Sequence, residues 1–77
     1  MRQIGPVRAM DLSSDGTRLA AGGDHGVIHL LAIDTGDEIA RFAGHDAPVM
    51  SLALSLDGKS IVSGSEDGLI RLFRVAQ

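Results

Sequence analysis

Cysteine is absent from these 77 residues, which excludes any disulfide and any thiolate metal site. The same absence removes the main argument for secretion, and a cytoplasmic location is the expectation. Basic charge is scarce. Seven Lys and Arg stand against ten Asp and Glu, giving a formal net charge of −3 and a pI near 5.4. The basic residues are scattered, whereas nucleic acid and anionic membranes reward clustered Lys and Arg, so neither is expected as a partner. No apolar run approaches the roughly 20 residues of a membrane-spanning helix. Met1–Met10 lacks the apolar stretch of a signal peptide. No segment carries helical periodicity of useful length. Hydrophobic residues nevertheless make up 44% of the chain, and mean hydropathy is positive. A chain this short buries a modest fraction of its surface, so this excess points to surface intended for burial by another chain.

What the chain does have is a repeat at an offset of 42 residues. When Gly5–Thr35 is set on Ala47–Gln77, ten of 31 positions are identical, among them Pro6/Pro48, Asp15/Asp57, Gly16/Gly58, Gly22/Gly64 and Ile28/Ile70. Most other positions exchange apolar for apolar. Such a period marks an architecture in which each unit buries its faces only against neighbours. Alternation within each unit predicts strands over Val7–Leu12, Thr17–Gly22, Val27–Ile33 and Glu38–Phe42. The second unit repeats three of them, over Val49–Ser55, Lys59–Gly64 and Leu69–Val75. Asp15-Gly16 and Asp57-Gly58 are hairpin signals, because Gly accepts positive φ and Asp bonds nearby backbone. The expectation is all-β, with two antiparallel sheets of four and three strands. Residues 1–46 form the first unit with its linker and residues 47–77 the second, within one domain.

With the units laid out, the chain resembles the WD-repeat family of β-propellers, across nearly its whole length. Gly44-His45 matches the opening pair of the family's unit. Ala53-Leu54-Ser55-Leu56-Asp57-Gly58 matches its first hairpin, with Leu56 in place of Pro. Val62-Ser63-Gly64-Ser65-Glu66-Asp67-Gly68 matches the second. Leu69-Ile70-Arg71-Leu72-Phe73-Arg74 matches the third strand, with Phe73 for Trp and Arg74 for Asp. The first unit matches more loosely. The resemblance implies four-stranded blades of about 40–45 residues. It also implies a structural hydrogen-bonded set, to which unit two contributes His45, Ser63 and Asp67. There is no tryptophan, so Phe73 stands where the indole donor would be. Unit one keeps none of the set, with Gln3, Ala21, His25 and Leu31 in those places, and must be held by apolar packing.

Several residue groups invite a chemical reading. His45, Ser63 and Asp67 could be a hydrolytic triad, but no nucleophile elbow precedes Ser63, and a buried structural network is favoured. Gly22-Gly23-Asp24-His25-Gly26 is glycine-rich, but a phosphate cradle needs a helix N-terminus after it, and an alternating strand follows. His25 and His29, with Asp24 beside them, have no further strong metal ligand nearby; a turn His and an outward strand His are the expectation. Asp15 and Asp57 lack the dense spacing of a calcium loop. No catalytic residue, cofactor or metal is therefore expected. Pro6 and Pro48 punctuate the start of each first strand.

By the resemblance, the loops before the first strand and between the second and third share one face, where partner proteins dock in the family. That face would carry Arg8, Asp24, His25, Met50 and Glu66. Two units cannot close a ring, so the expected partner is the chain itself, or the rest of a longer propeller from which this is a piece. Closure by copies allows even blade counts only, from three copies or four. Four is preferred, because large apolar residues at the blade faces suit a wide ring. Two function classes stay open: a non-catalytic protein–protein interaction scaffold, and an enzyme or small-ligand binder using the central channel. The innermost strands carry only Arg8, Asp11 and Ser51 as polar candidates, which favours the first.

Overall fold

A computed structural model describes residues 5–75, and all the regular structure within them is strand. In chain order these are β1 (Val7–Leu12), β2 (Arg18–Gly23), β3 (Val27–Ala32), β4 (Glu38–Ala43), β5 (Val49–Leu54), β6 (Ser60–Ser65) and β7 (Ile70–Arg74). They form two antiparallel meanders, β1-β2-β3-β4 and β5-β6-β7. The 4+3 division follows from the alternation and from the turns.

The hairpin turns explain why several strands start a residue later than alternation suggests. The Asp15 carboxylate accepts from the Thr17 amide at 3.0 Å, and Asp57 accepts from the Lys59 amide at 3.0 Å. Thr17 and Lys59 are thereby consumed by the turn, and pairing begins at Arg18 and Ser60. Gly16 and Gly58 sit in these turns at φ near 75° and 70°, the left-handed region a side chain disfavours. On the other side of each sheet, Val27 belongs to β3 because it pairs with Ala43 on β4. Among the described residues no such strand lies beside its counterpart Leu69, and β7 starts at Ile70.

The core is a seam between the two sheets. Ala20, Ile28 and Leu30 from the first sheet close against Val49, Ile61 and Val75 from the second, all buried. Ala9, Ala40, Phe42, Leu52, Leu54 and Phe73 pack around them. Phe42 and Phe73 meet with ring centroids 5.1 Å apart. Small residues set the approach distance. A Cβ on Gly22 would lie 3.1 Å from the Val49 Cβ, so Val49 occupies the hollow that this glycine leaves. A Cβ on Gly26 would lie 2.3 Å from the His45 carbonyl oxygen, so the linker crosses directly over that turn. Polar contacts also join the two repeats, the part-buried one being the Asp11 carboxylate accepting from the Leu54 amide at 2.7 Å.

Candidate functional site

Arg8 and Met50 occupy the same place in the repeat, and each lies at a register shift of its strand, between Val7 and Ala9 and between Val49 and Ser51. A bulge re-aims the side chain it displaces. Both residues are exposed, and both stand at the end of the molecule where the β2–β3 and β6–β7 turns lie. Those turns are tied to the loops before β1 and β5 in the same way in each sheet. The Asp24 amide donates to the Pro6 carbonyl at 3.2 Å, and the Glu66 amide to the Pro48 carbonyl at 2.9 Å. The result is one surface built from both repeats.

On that surface the Arg8 guanidinium donates to and ion-pairs with the Asp24 carboxylate. The hydrogen bond to Asp24 and its charge raise the pKa of Arg8, and the charge of Glu66 adds to the effect. Arg8 and Asp24 therefore form an ion pair, and Glu66 from the other repeat adds the weakest contribution to this charged group. His25 is exposed beside Gly5, where a Cβ would touch its ring at 2.8 Å. Met50 is an exposed apolar side chain on the same surface. The group has a formal charge of −1 before His25 is counted, with a guanidinium already partnered.

The polar set of the second repeat is brought together only in part. His45 is buried, and its Nε2 lies 2.7 Å from the Oγ of Ser63, which is 1% exposed. Phe73 meets the His45 ring edge-on with centroids 6.5 Å apart. Asp67 does not join them. Its carboxylate accepts from the Ser65 hydroxyl and from the Leu69 amide, the latter at 3.1 Å, and the Ser65 hydrogen bond is the main reason its pKa is lowered. His45 Nδ1 is left buried without a partner. Without an acid on Nδ1, and with the serine closed to solvent, the three residues do not make a hydrolytic triad. In the first repeat, Ala21 is buried, His25 exposed and Leu31 half-buried, whereas Gln3 lies outside the described residues.

His29 alternates with the seam residues Ile28 and Leu30 and so lies on the outward face, but it is covered there. Its side chain is 13% exposed, and its Nδ1 lies 2.5 Å from Glu38 Oε1. Arg41, opposite His29 in the β3–β4 register, donates to the same carboxylate at 3.0 Å. The hydrogen bond from His29 comes first, and that from Arg41 second, in lowering the pKa of Glu38. Sequence reasoning missed this cluster because a register shift between Leu30 and Leu31 decides which β4 residue meets His29. With His29 engaged there and Asp24 on Arg8, the three residues weighed as metal ligands are separated. Among the described residues no group of three or more His, Cys, Asp or Glu could hold a metal ion.

At the opposite end a cavity of about 270 Å³ lies between the two Asp-Gly hairpins, crossed by the Ser14 hydroxyl donating to the Leu56 carbonyl at 2.9 Å. Its carboxylates are already engaged. Ser13 and Thr17 hydroxyls donate to Asp15, holding its pKa down to about 2, and Ser55 donates to Asp57.

Residues 3–30 and 36–74 match the family model of the WD domain, G-beta repeat. No curated protein matches the chain. Among solved structures, the β-propeller domain of Cps50 (Swd1) from Myceliophteria thermophila is similar, with 22% identity and a TM-score of 0.79 over 92% of this chain. The computationally designed Ika4 protein is similar at 24% identity and a TM-score of 0.81 over 94% of this chain. At these identities the likeness is one of fold. The chain spans 23% and 42% of those two structures.

Proposed function

The chain belongs to the WD-domain, G-beta repeat family, and from that premise we propose that it is a non-catalytic protein–protein interaction scaffold. Its two sheets are two blades of a β-propeller, assembling head to tail with further copies into a closed ring. The carrying observation is the exposure of large apolar side chains on both outward sheet faces. Met10 and Leu72 are each 65% exposed and Ile70 is 77% exposed, on faces that have no layer over them. Surface of that kind is made for burial. Head-to-tail contacts close into rings when the rotation per step allows. Three copies give six blades and four give eight, and the large apolar side chains at the blade faces favour four. The docking face of the ring is the surface carrying Arg8, Asp24, His25, Met50 and Glu66.

A second reading is that these two blades are a piece of a longer WD-repeat chain. Its support is the chain's 23% share of the Cps50 (Swd1) domain. The channel enzyme is disfavoured by the innermost strands, where Arg8 is paired with Asp24 and Asp11 is committed to the Leu54 amide. Native mass spectrometry over a range of concentrations tests the assembly. A discrete three- or four-fold multiple of 8.0 kDa is expected. A chain that stays at 8.0 kDa overturns self-assembly in favour of the longer parent.

A further inference from the structure

Within the chain, the seam joins two chemically distinct faces. The receiving face belongs to blade one and is built on Ala20, Gly22, Ile28 and Leu30. The entering face belongs to blade two and is built on Val49, Ile61, Phe73 and Val75. A shift of 42 residues carries the receiving set to Val62, Gly64, Ile70 and Leu72, which lie on the far side of blade two. The opposite shift carries the entering set to Val7, Leu19, Leu31 and Ile33. Leu52 and Leu54 likewise map to Met10 and Leu12. Of the eleven exposed large hydrophobics among the described residues, seven are these images: Val7, Met10, Leu12 and Ile33 on one side, Val62, Ile70 and Leu72 on the other. Most of the exposed apolar surface is therefore a second, unmade copy of the seam.

The relief of the faces matches as well. Val49 fills the hollow left by Gly22. At the image position a hollow of about 180 Å³ lies on the outer face of blade two, bounded by Ser51, Val62, Gly64 and Ile70. The image of the knob that fills it is Val7, which is 44% exposed. We infer that Val7 of a second copy seats over Gly64 of the first, so that blade one of each copy packs on blade two of the preceding copy as blade two packs on blade one within the chain. This rests on the assembly reading and adds which face meets which. Two receiving faces set against each other would bring hollow to hollow, so the contact is head to tail. The two seams differ in two bonds. Ser14, whose hydroxyl donates to the Leu56 carbonyl, maps to Leu56, which has no hydroxyl to donate. Asp11 maps to Ala53, so the Leu12 amide of the second copy meets no carboxylate where Leu54 meets Asp11. The seam between copies is the weaker one, and an assembly dissociates into whole chains.

Complementary blocking tests this. Leu72→Asp spoils the receiving face and Met10→Asp the entering face. Each alone is expected to be monomeric at 8.0 kDa with a β-sheet circular dichroism spectrum. Their equimolar mixture is expected to form a heterodimer of twice that mass, because one good face remains on each. Dimerisation of Met10→Asp alone would mean that receiving faces meet each other, and overturns the pairing. A wild-type oligomer with a mixture that stays monomeric also overturns it, while leaving self-assembly intact. A monomeric wild type removes the assembly reading itself. Should either variant unfold, Val7→Cys/Gly64→Cys supplies the readout in a chain that otherwise has no thiol. Mild oxidation is expected to give a non-reducing ladder of multiples of 8.0 kDa. No ladder, or dimers from Val7→Cys alone, overturns the pairing.

Discussion

Leu30 and Leu72 hold the same place in the repeat, yet Leu30 is fully buried in the seam and Leu72 is 65% exposed. Truncating each to alanine removes the same atoms from two different surroundings. In a closed core, Leu→Ala costs about 2.7–5.0 kcal/mol through lost transfer energy and the cavity left behind. A loss of about 3 kcal/mol is a large share of the roughly 4–12 kcal/mol available to a domain of this size. It lowers Tm by about 12–24 °C, at roughly 4–8 °C per kcal/mol. Leu72 has about a third of its surface covered, and of the roughly 2 kcal/mol carried by a full leucine it loses about 0.7 kcal/mol. The corresponding fall in Tm is about 3–6 °C. Thermal melts followed by circular dichroism measure both, at a dilution where the mass is 8.0 kDa. Raised concentration then separates the two roles, since Leu72→Ala is expected to weaken assembly and Leu30→Ala to weaken the fold. Equal falls in Tm for the two dilute variants would refute the reasoning, because they would mean that Leu72 is already covered within its own chain. Leu30→Val against Leu72→Val keeps the comparison if Leu30→Ala does not fold.

Asp11→Ala leaves the part-buried Leu54 amide without its acceptor. It is expected to cost about 1–2 kcal/mol in urea unfolding, with Asp11→Asn recovering most of the loss. His45→Ala removes the buried bond to Ser63 and opens space beside Phe73; Tm should fall while the Arg8–Asp24 surface keeps its properties, and an unchanged Tm would contradict a structural role. Acid should unfold the chain in a defined window. Asp15 is held down to about 2, and Glu38, Asp57 and Asp67 also lie below their ordinary values. A depressed carboxyl contributes stability that is complete above its unfolded pKa of about 4 and is lost as pH falls toward the folded value. The loss therefore falls between about pH 4 and pH 2, and Asp15→Asn should flatten it in a pH series of melts.

The legible part of this protein was local. Asp-Gly pairs placed the β1–β2 and β5–β6 turns because the carboxylate and the left-handed glycine act within three residues of each other. Alternation placed every strand, because period-two patterning is a property of the chain itself. The candidate site was less legible. His45 and Ser63, 18 residues apart, could be paired from the family pattern, and they do meet. Asp67 was assigned to the same network, but in this structure a hydroxyl two residues away, on Ser65, takes its carboxylate. Short-range donors compete well for an aspartate in a turn, since they order little additional chain. Arg8 and Met50 were placed on the outer loop face, but the bulges that present them are products of strand pairing.

The sequence by itself determined the repeat, the seven strands, their division into four and three, and the excess of apolar residues over what two sheets can bury. Those follow from period, turn chemistry and composition, which need no knowledge of what lies across space. Only the tertiary structure decided which apolar residues are covered. Leu30 and Leu72 are indistinguishable in pattern, and one is sealed while the other is bare, because the sheets stack in one order and each has one neighbour. The pairing of Asp11 with an amide 43 residues away, and of His29 with Glu38 through a shifted register, were likewise decided there. Contacts of that kind depend on the relative placement of sheets and strands, which a period of 42 residues repeats and does not specify.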